Sequence, residues 1–276
     1  MNHSLTASSP VSKRLSPRKM AFITGTLLLT STGFICRILG FFYRIFMSRT
    51  IGAEGLGIYN MVHPIFSICF AVCAGSIQTA LSQYVAANQT RGRAVFRTGL
   101  VIAMGMSFLL AWVIYGNAGF LAEKLLLEPR CAPYLPVMAV SVPFAALHAC
   151  INGYYYGMQK ARVPAFSQVA EQVIRMGAVF LIASIWLESG RQITVSLAVY
   201  GHLIGEMASA VFTVFCLGFF PPCKDGDSRR APAIPLSFGA TAAPLMALAL
   251  PLMGNRLILN VLGSAEAIWI PNRLMS

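Results

Sequence analysis

Charge is what this chain has least of. Only 11% of its 276 residues are Asp, Glu, Lys or Arg, and just nine are acidic, against 57% hydrophobic residues. A mean hydropathy of +0.68 lies well outside the range of a water-soluble domain. The chain therefore reads as an all-α polytopic membrane protein. Long polar connections are lacking as well. Between the apolar runs lie only about 48–57, 88–97, 120–132, 158–164, 188–192 and 221–235, none long enough to fold into a catalytic domain. A phosphate-binding Gly-rich loop with a lysine, a His/Cys/Asp cluster at metal spacing and a serine–histidine pair in a loop are all missing. These absences point away from an enzyme, and no cofactor or metal is expected. Of the seven cysteines, Cys36, Cys69, Cys73, Cys150 and Cys216 fall inside apolar runs, so no disulfide framework follows.

Present instead are apolar runs of spanning length at about 20–47, 58–86, 98–118, 133–157, 173–187 with a polar lead-in from Phe166, 193–220 and 236–262. Seven spans are expected. The net charge of +12 would suit a nucleic-acid partner, but its distribution gives another cause. With the N-terminus in the cytoplasm, Lys13, Arg14, Arg18, Lys19, Arg91, Arg93, Arg97, Lys160, Arg162, Lys224, Arg229 and Arg230 all lie inside, and only Arg49, Lys124, Arg130 and Arg191 lie outside. That asymmetry obeys the positive-inside rule, so the charge sets orientation and implies no nucleic acid.

Four features inside the spans carry the functional expectations. Arg37 and Arg44 in the first run stand seven residues apart with Gly40 between them. At 3.6 residues per turn they share one stripe of a helix. A cation in a span costs at least about 2.5–3.5 kcal/mol, so such a stripe should face protein or a water-filled cavity, where it would attract an anion. Snorkelling of either arginine to the headgroups is the competing account. The fifth span opens with Gln168, Glu171, Gln172 and Arg175 on one face, where Arg175 either meets a substrate or is neutralised by Glu171 at i, i+4. In the sixth span Glu206 sits four residues after His202, as a candidate for proton or cation coupling together with Glu171, or as a carboxylate satisfied by His202 or a neighbouring serine. The seventh span carries Pro251, Gly254, Asn255, Arg256 and Asn260, where a broken helix would bring Arg256 to a cavity. The glycines Gly52, Gly55 and Gly57 are expected to make the tight turn between the first two spans.

The run Gly33-Phe34-Ile35-Cys36-Arg37-Ile38-Leu39-Gly40-Phe41-Phe42-Tyr43-Arg44 and then Ile51-Gly52-Ala53-Glu54-Gly55-Leu56-Gly57-Ile58-Tyr59 resembles the stage V sporulation protein B and polysaccharide flippase family. So do Ala80-Leu81-Ser82, Gly153-Tyr154-Tyr155-Tyr156-Gly157-Met158-Gln159, Glu171-Gln172, Leu250-Pro251-Leu252, Asn255-Arg256-Leu257 and Glu266-Ala267-Ile268. The resemblance covers nearly everything after the first twenty residues. It implies the multidrug/oligosaccharidyl-lipid/polysaccharide exporter superfamily, with two bundles of six or more helices around a central cavity. Lipid II flippases are relatives in which cavity arginines are thought to hold a lipid-linked pyrophosphate. Arg37 matches a first-helix arginine of the family, and Arg44 fits the sporulation-protein pattern better than that of the lipid II flippases.

The expectation drawn from residues and resemblance together is a flippase for an undecaprenyl-pyrophosphate-linked sugar in the bacterial inner membrane, its N-terminus cytoplasmic. A basic tail at 1–19, a six-helix bundle at 20–220, a cytoplasmic linker at 221–235 and the start of a second bundle at 236–276 are expected, with a missing C-terminal bundle or a second copy required. Arg37, Arg44, Arg175 and Arg256 are the candidate head-group contacts; membrane lipids are the remaining partners. A drug or cation antiporter of the same superfamily, kept in view by Glu171 and Glu206, and a non-transporting membrane partner of cell-wall synthesis are the alternatives.

Overall fold

A computed structural model describes residues 17–222 and 238–275. The expected basic tail and the linker lie almost wholly outside these residues. In order, the elements are α1 (Pro17–Phe70), a π turn (Ala71–Gly75), α2 (Ser76–Ala87), α3 (Gly92–Gly116), the single turn α4 (Ala118–Phe120), α5 (Leu135–Gly157), α6 (Arg162–Glu188), α7 (Ser196–Phe219) and α8 (Phe238–Met275). The described residues form no strand, as a lipid environment demands of a single-chain α protein whose backbone groups must all bond internally.

Among the described residues, six helical stretches are long and apolar enough to cross a membrane. The first, Ile23–Ala87, has 65 residues and would measure about 100 Å if straight, some three hydrocarbon cores. It is not straight. Gly52 has φ 75° and ψ 175°, the only non-helical backbone within α1. Tyr43 and Tyr59, which would stand about 24 Å apart on a straight helix, line one cavity. The stretch thus folds at Gly52 and supplies the two spans expected at 20–47 and 58–86. The loop expected at 48–57 is helical apart from Gly52, because Gly55 and Gly57 are ordinary helical positions. The fifth span is one helix over Arg162–Glu188, its polar lead-in included as expected. One further expectation is corrected. The break expected at Pro251 and Gly254 is absent, since α8 is helical throughout Phe238–Met275.

Lipid tails are as apolar as leucine, so helices associate here by close packing and not by excluding water. Two Gly-x-x-x-Gly pairs provide that closeness. On α5, a Cβ at Gly153 would lie 2.7 Å from the Gln78 carbonyl oxygen, and one at Gly157 would lie 2.6 Å from the Val85 Cβ. This face presses α5 onto α2. On α7, a Cβ at Gly201 would come within 2.2 Å of the Val179 Cγ2, and one at Gly205 within 2.7 Å of the Arg175 Nε. This face presses α7 onto α6. Around the first contact gathers the larger core, with Ile77, Leu81, Val85, Met138, Val142 and Tyr155. A smaller core of Met47, Val179, Ala183, Leu197 and Ala198 ties the first arm of α1 to α6 and α7. Helix α8 joins the larger core through Leu245, Ala249 and Met253.

Between Phe70 and Ser76 the helix widens into the π turn, and the Ser76 hydroxyl donates to the Ala71 carbonyl at 2.8 Å. Such turns occur where a helix makes room for a neighbour. Here the neighbour is Arg256, whose guanidinium lies where a Cβ on Gly75 would be, and which donates to the Thr79 Oγ1 at 3.0 Å. Just past the break, Glu54 pairs with Arg130 in the segment before α5, and Arg130 forks onto Glu128 at 2.9 and 3.1 Å. That hydrogen bonding holds the Glu128 carboxyl below its ordinary range. The lowered value means this pairing is complete at neutral pH and is lost on acidification.

Gly52→Ala places a Cβ in a positive-φ, extended-ψ conformation that is essentially restricted to glycine, at a cost of about 1–3 kcal/mol. Gly57 is helical with open space around its Cβ position, so Gly57→Ala should be neutral or stabilising by up to about 1 kcal/mol. Thermal unfolding of the two variants in detergent micelles checks this, and an equal loss in both would contradict the assignment of the fold-back to Gly52.

Candidate functional site

Five elements line a half-open polar cavity of about 330 Å³. Its wall comprises His63, Phe66 and Phe70 from α1, Gln78 from α2, His148, Asn152 and Tyr156 from α5, Gln168, Glu171 and Arg175 from α6, and His202 and Glu206 from α7. Helical spacing explains much of the set. Gln168, Glu171 and Arg175 recur on one face of α6, His148 and Asn152 on one face of α5, and His202 and Glu206 on one face of α7. The close α6–α7 contact at Gly205 then brings two of these faces together.

The charges pair across the helices. The Arg175 guanidinium contacts Glu171 on its own helix and lies 3.6 Å from the Glu206 Oε1 on α7. The other Glu206 oxygen, Oε2, is 2.8 Å from the His148 Nε2 on α5. His202 is too far, at 3.8 Å, to hydrogen-bond with Glu206. The partner of Glu206 is therefore His148 and neither His202 nor a serine; Ser209 instead bonds to Ser167 at 2.8 Å. His202 packs edge-on to Phe66, with ring centroids 4.4 Å apart, and 5.6 Å from the His63 ring. Three buried nitrogens, Nδ1 of His148, Nε2 of His202 and Nε of Arg175, lack a hydrogen-bond partner.

The four arginines singled out in the sequence do not meet. Arg175 is in the cavity, held by the two glutamates that were the ion-coupling candidates. Arg44 borders a second cavity of about 250 Å³ with Gly40, Tyr43, Tyr59 and Asn60. Arg37 is exposed about two turns earlier on the same arm. Arg256 is across the bundle, against the π turn and Thr79. Among the described residues no carboxylate pairs with Arg37, Arg44 or Arg256. His148, His63 and Gly205 went unnoticed in the sequence. An imidazole in the middle of an otherwise apolar run was the signal available for His148.

The donor atoms of His148, Glu171 and Glu206 lie within 4.8 Å of one another, a spacing that a cation can bridge. The positive charge at this place is Arg175, which contacts one of these carboxylates and adjoins the other. The cavity thus holds two carboxylates, one guanidinium and an imidazole in contact inside a membrane-spanning bundle, with amides and aromatic faces around them.

Removing one member of a buried pair leaves its partner uncompensated, at about 3–5 kcal/mol. Arg175→Ala should therefore destabilise the protein by that order, and Glu171→Gln in the same molecule should recover part of the loss. Thermal unfolding of the two singles and the double in detergent measures the coupling. Additive losses would mean that Arg175 and Glu171 do not compensate each other.

Comparison with known proteins agrees with this architecture. The family model described as polysaccharide biosynthesis protein matches residues 22–275. Stage V sporulation protein B of Bacillus subtilis is 29% identical over 262 residues, covering 93% of this chain and 50% of the relative. The lipid II flippase MurJ of the same organism is 23% identical over 206 residues, 68% of this chain and 38% of the relative. Sporulation protein YkvU, also from Bacillus subtilis, is 18% identical over 256 residues, 92% of this chain and 56% of the relative. The chain spans about half the length of these relatives or less. Long apolar helices, two arginines on the first of them and a family match over residues 22–275 together make this protein a member of the polysaccharide biosynthesis protein family of multi-pass membrane proteins.

Proposed function

We propose that this chain forms the first half of a flippase that moves an undecaprenyl-pyrophosphate-linked sugar across the bacterial inner membrane by alternating access, with its N-terminus cytoplasmic. A second helical bundle, from the same protein or from a second copy, completes the translocation path. The observation that carries the reading is the pair Arg37 and Arg44, on one arm of a spanning helix, with no carboxylate partner among the described residues. Two uncompensated cations on a membrane helix call for an anion. A pyrophosphate offers several oxygens to the forked donors of arginine. Similarity to a lipid II flippase and to a family named for polysaccharide biosynthesis supports a lipid-linked precursor as that anion.

Arg175 and Arg256 enter the proposal differently. Each already has contacts, Glu171 and Glu206 for the first and Thr79 for the second, so each must exchange a partner before it meets a head group. Rocking of the two bundles supplies the occasion for that exchange. The competing reading, a cation antiporter, draws on the same cavity, because Glu171 and Glu206 are two acidic groups within a span. Its weakness is Arg175, which occupies the position where a cationic substrate would be neutralised.

The test uses the protein at its native length in its host. Each hydrogen bond to a charged group contributes about 1.5–3 kcal/mol, so Arg37→Ala should lower translocation of the lipid-linked precursor by about tenfold or more. Membrane abundance should not change, and Arg37→Lys should retain part of the activity. Undiminished translocation by Arg37→Ala would remove Arg37 from the site.

A further inference from the structure

We propose that the polar cavity is a proton-binding site, with one exchangeable proton held by the buried His148–Glu206 pair. Helix α1 contributes His63, with Tyr43, Tyr59 and Arg44 close enough to interact electrostatically with the cluster, α2 only the amide of Gln78, α5 His148 and Tyr156, α6 Glu171 and Arg175, and α7 His202 and Glu206. With all three imidazoles neutral, two carboxylates face one guanidinium and a negative charge is left over inside the span. An uncompensated charge there costs at least about 2.5–3.5 kcal/mol. One added proton brings the sum to zero.

Geometry chooses where it resides. The His148 Nε2 is 2.8 Å from the Glu206 Oε2, the distance of a charge-assisted hydrogen bond. His63 is occupied otherwise, its Nδ1 being 3.3 Å from the Ser67 hydroxyl. His202 is 3% exposed, with its Nε2 unpartnered and 3.8 Å from the Glu206 Oε1. It forms the way station by which a proton leaves or reaches the other carboxylate oxygen. A proton suits the place better than a metal ion, because it adds charge without volume, and a metal among these donors would stand beside the Arg175 guanidinium.

The consequence for transport rests on the flippase reading; the proton site does not. With His148 charged, Glu206 is satisfied and Arg175 answers only to Glu171. With His148 neutral, Arg175 must serve both carboxylates and has less to offer an anion. Proton and pyrophosphate therefore favour each other.

Histidine-selective ¹⁵N NMR of this chain in nanodiscs at pH 6, in a His3→Asn background, tests the site directly. An imidazolium signal is expected that disappears in His148→Asn and in Glu206→Gln and persists in His202→Asn. A spectrum showing only neutral imidazoles, or an imidazolium indifferent to Glu206→Gln, would overturn the proposal. Should His148→Asn fail to fold, the parent spectrum and Glu206→Gln still decide. Binding of undecaprenyl pyrophosphate to the same nanodiscs should be about tenfold tighter at pH 6 than at pH 8, beyond any change seen in His148→Asn. Equal pH dependence in both, with the imidazolium present, would leave the proton site standing and overturn its link to the head group.

Discussion

A charge placed in the hydrocarbon layer must be matched by another, and the bundle is arranged around that requirement. Arg175, Glu171, Glu206 and His148 come from three helices, and Glu206 on α7 finds its nearest partners on the other two, His148 on α5 and Arg175 on α6. Glu171 reaches Arg175 along one helix face. Glu206 and His148 must be brought in from α7 and α5. The glycine contacts make this possible, because Gly205 leaves space for the Arg175 side chain itself. A methyl group there would meet the arginine and not merely a neighbouring helix. Packing and electrostatics are in this sense one constraint.

The same principle divides the arginines into two kinds. Arg175 is compensated within the chain, whereas Arg37 and Arg44 are not, and their arm also carries many apolar side chains exposed on the surface, Phe34, Ile38, Phe41 and Phe42 among them. An apolar exterior interrupted by unpaired cations is a surface for lipid, for a second bundle or for an anionic ligand between the two. Arg256 stands between these cases. It has a hydroxyl partner and a glycine cradle in the π turn, so α8 is anchored to the first bundle by polar contact as well as by Leu245, Ala249 and Met253. Helix α8 begins beyond the linker and packs onto α1, α2 and α3.

Bends matter as much as pairs. The fold-back at Gly52 sets the Arg44 stripe against Tyr59 and Asn60 of the returning arm, and creates a cavity from two parts of one helix. The ion pair between Glu54 and Arg130 clips that fold to the segment before α5 at one end of the bundle. The π turn a few turns further on offsets the face of α2, so that Gln78 lines the large cavity while Thr79 meets Arg256. Each departure from a straight helix therefore adjoins a charged group.

Hydropathy, the even spacing of apolar runs and the distribution of basic residues determined the class, the number of spans and their order, because twenty apolar residues are stable across a bilayer whatever surrounds them. The face shared by Glu171 and Arg175 was equally legible, since both residues lie on one helix and helical period alone joins them. What the sequence by itself left open was every pairing between helices. His202 was the natural partner for Glu206 at four residues' distance, yet the contact belongs to His148, fifty-eight residues away, because the ring of His202 is turned towards Phe66 and His63. The separation of Arg37, Arg44, Arg175 and Arg256 into different surroundings was likewise decided only by the tertiary structure. Residues on different helices meet or miss according to which small side chains let two backbones approach, and that is a property of the packed bundle.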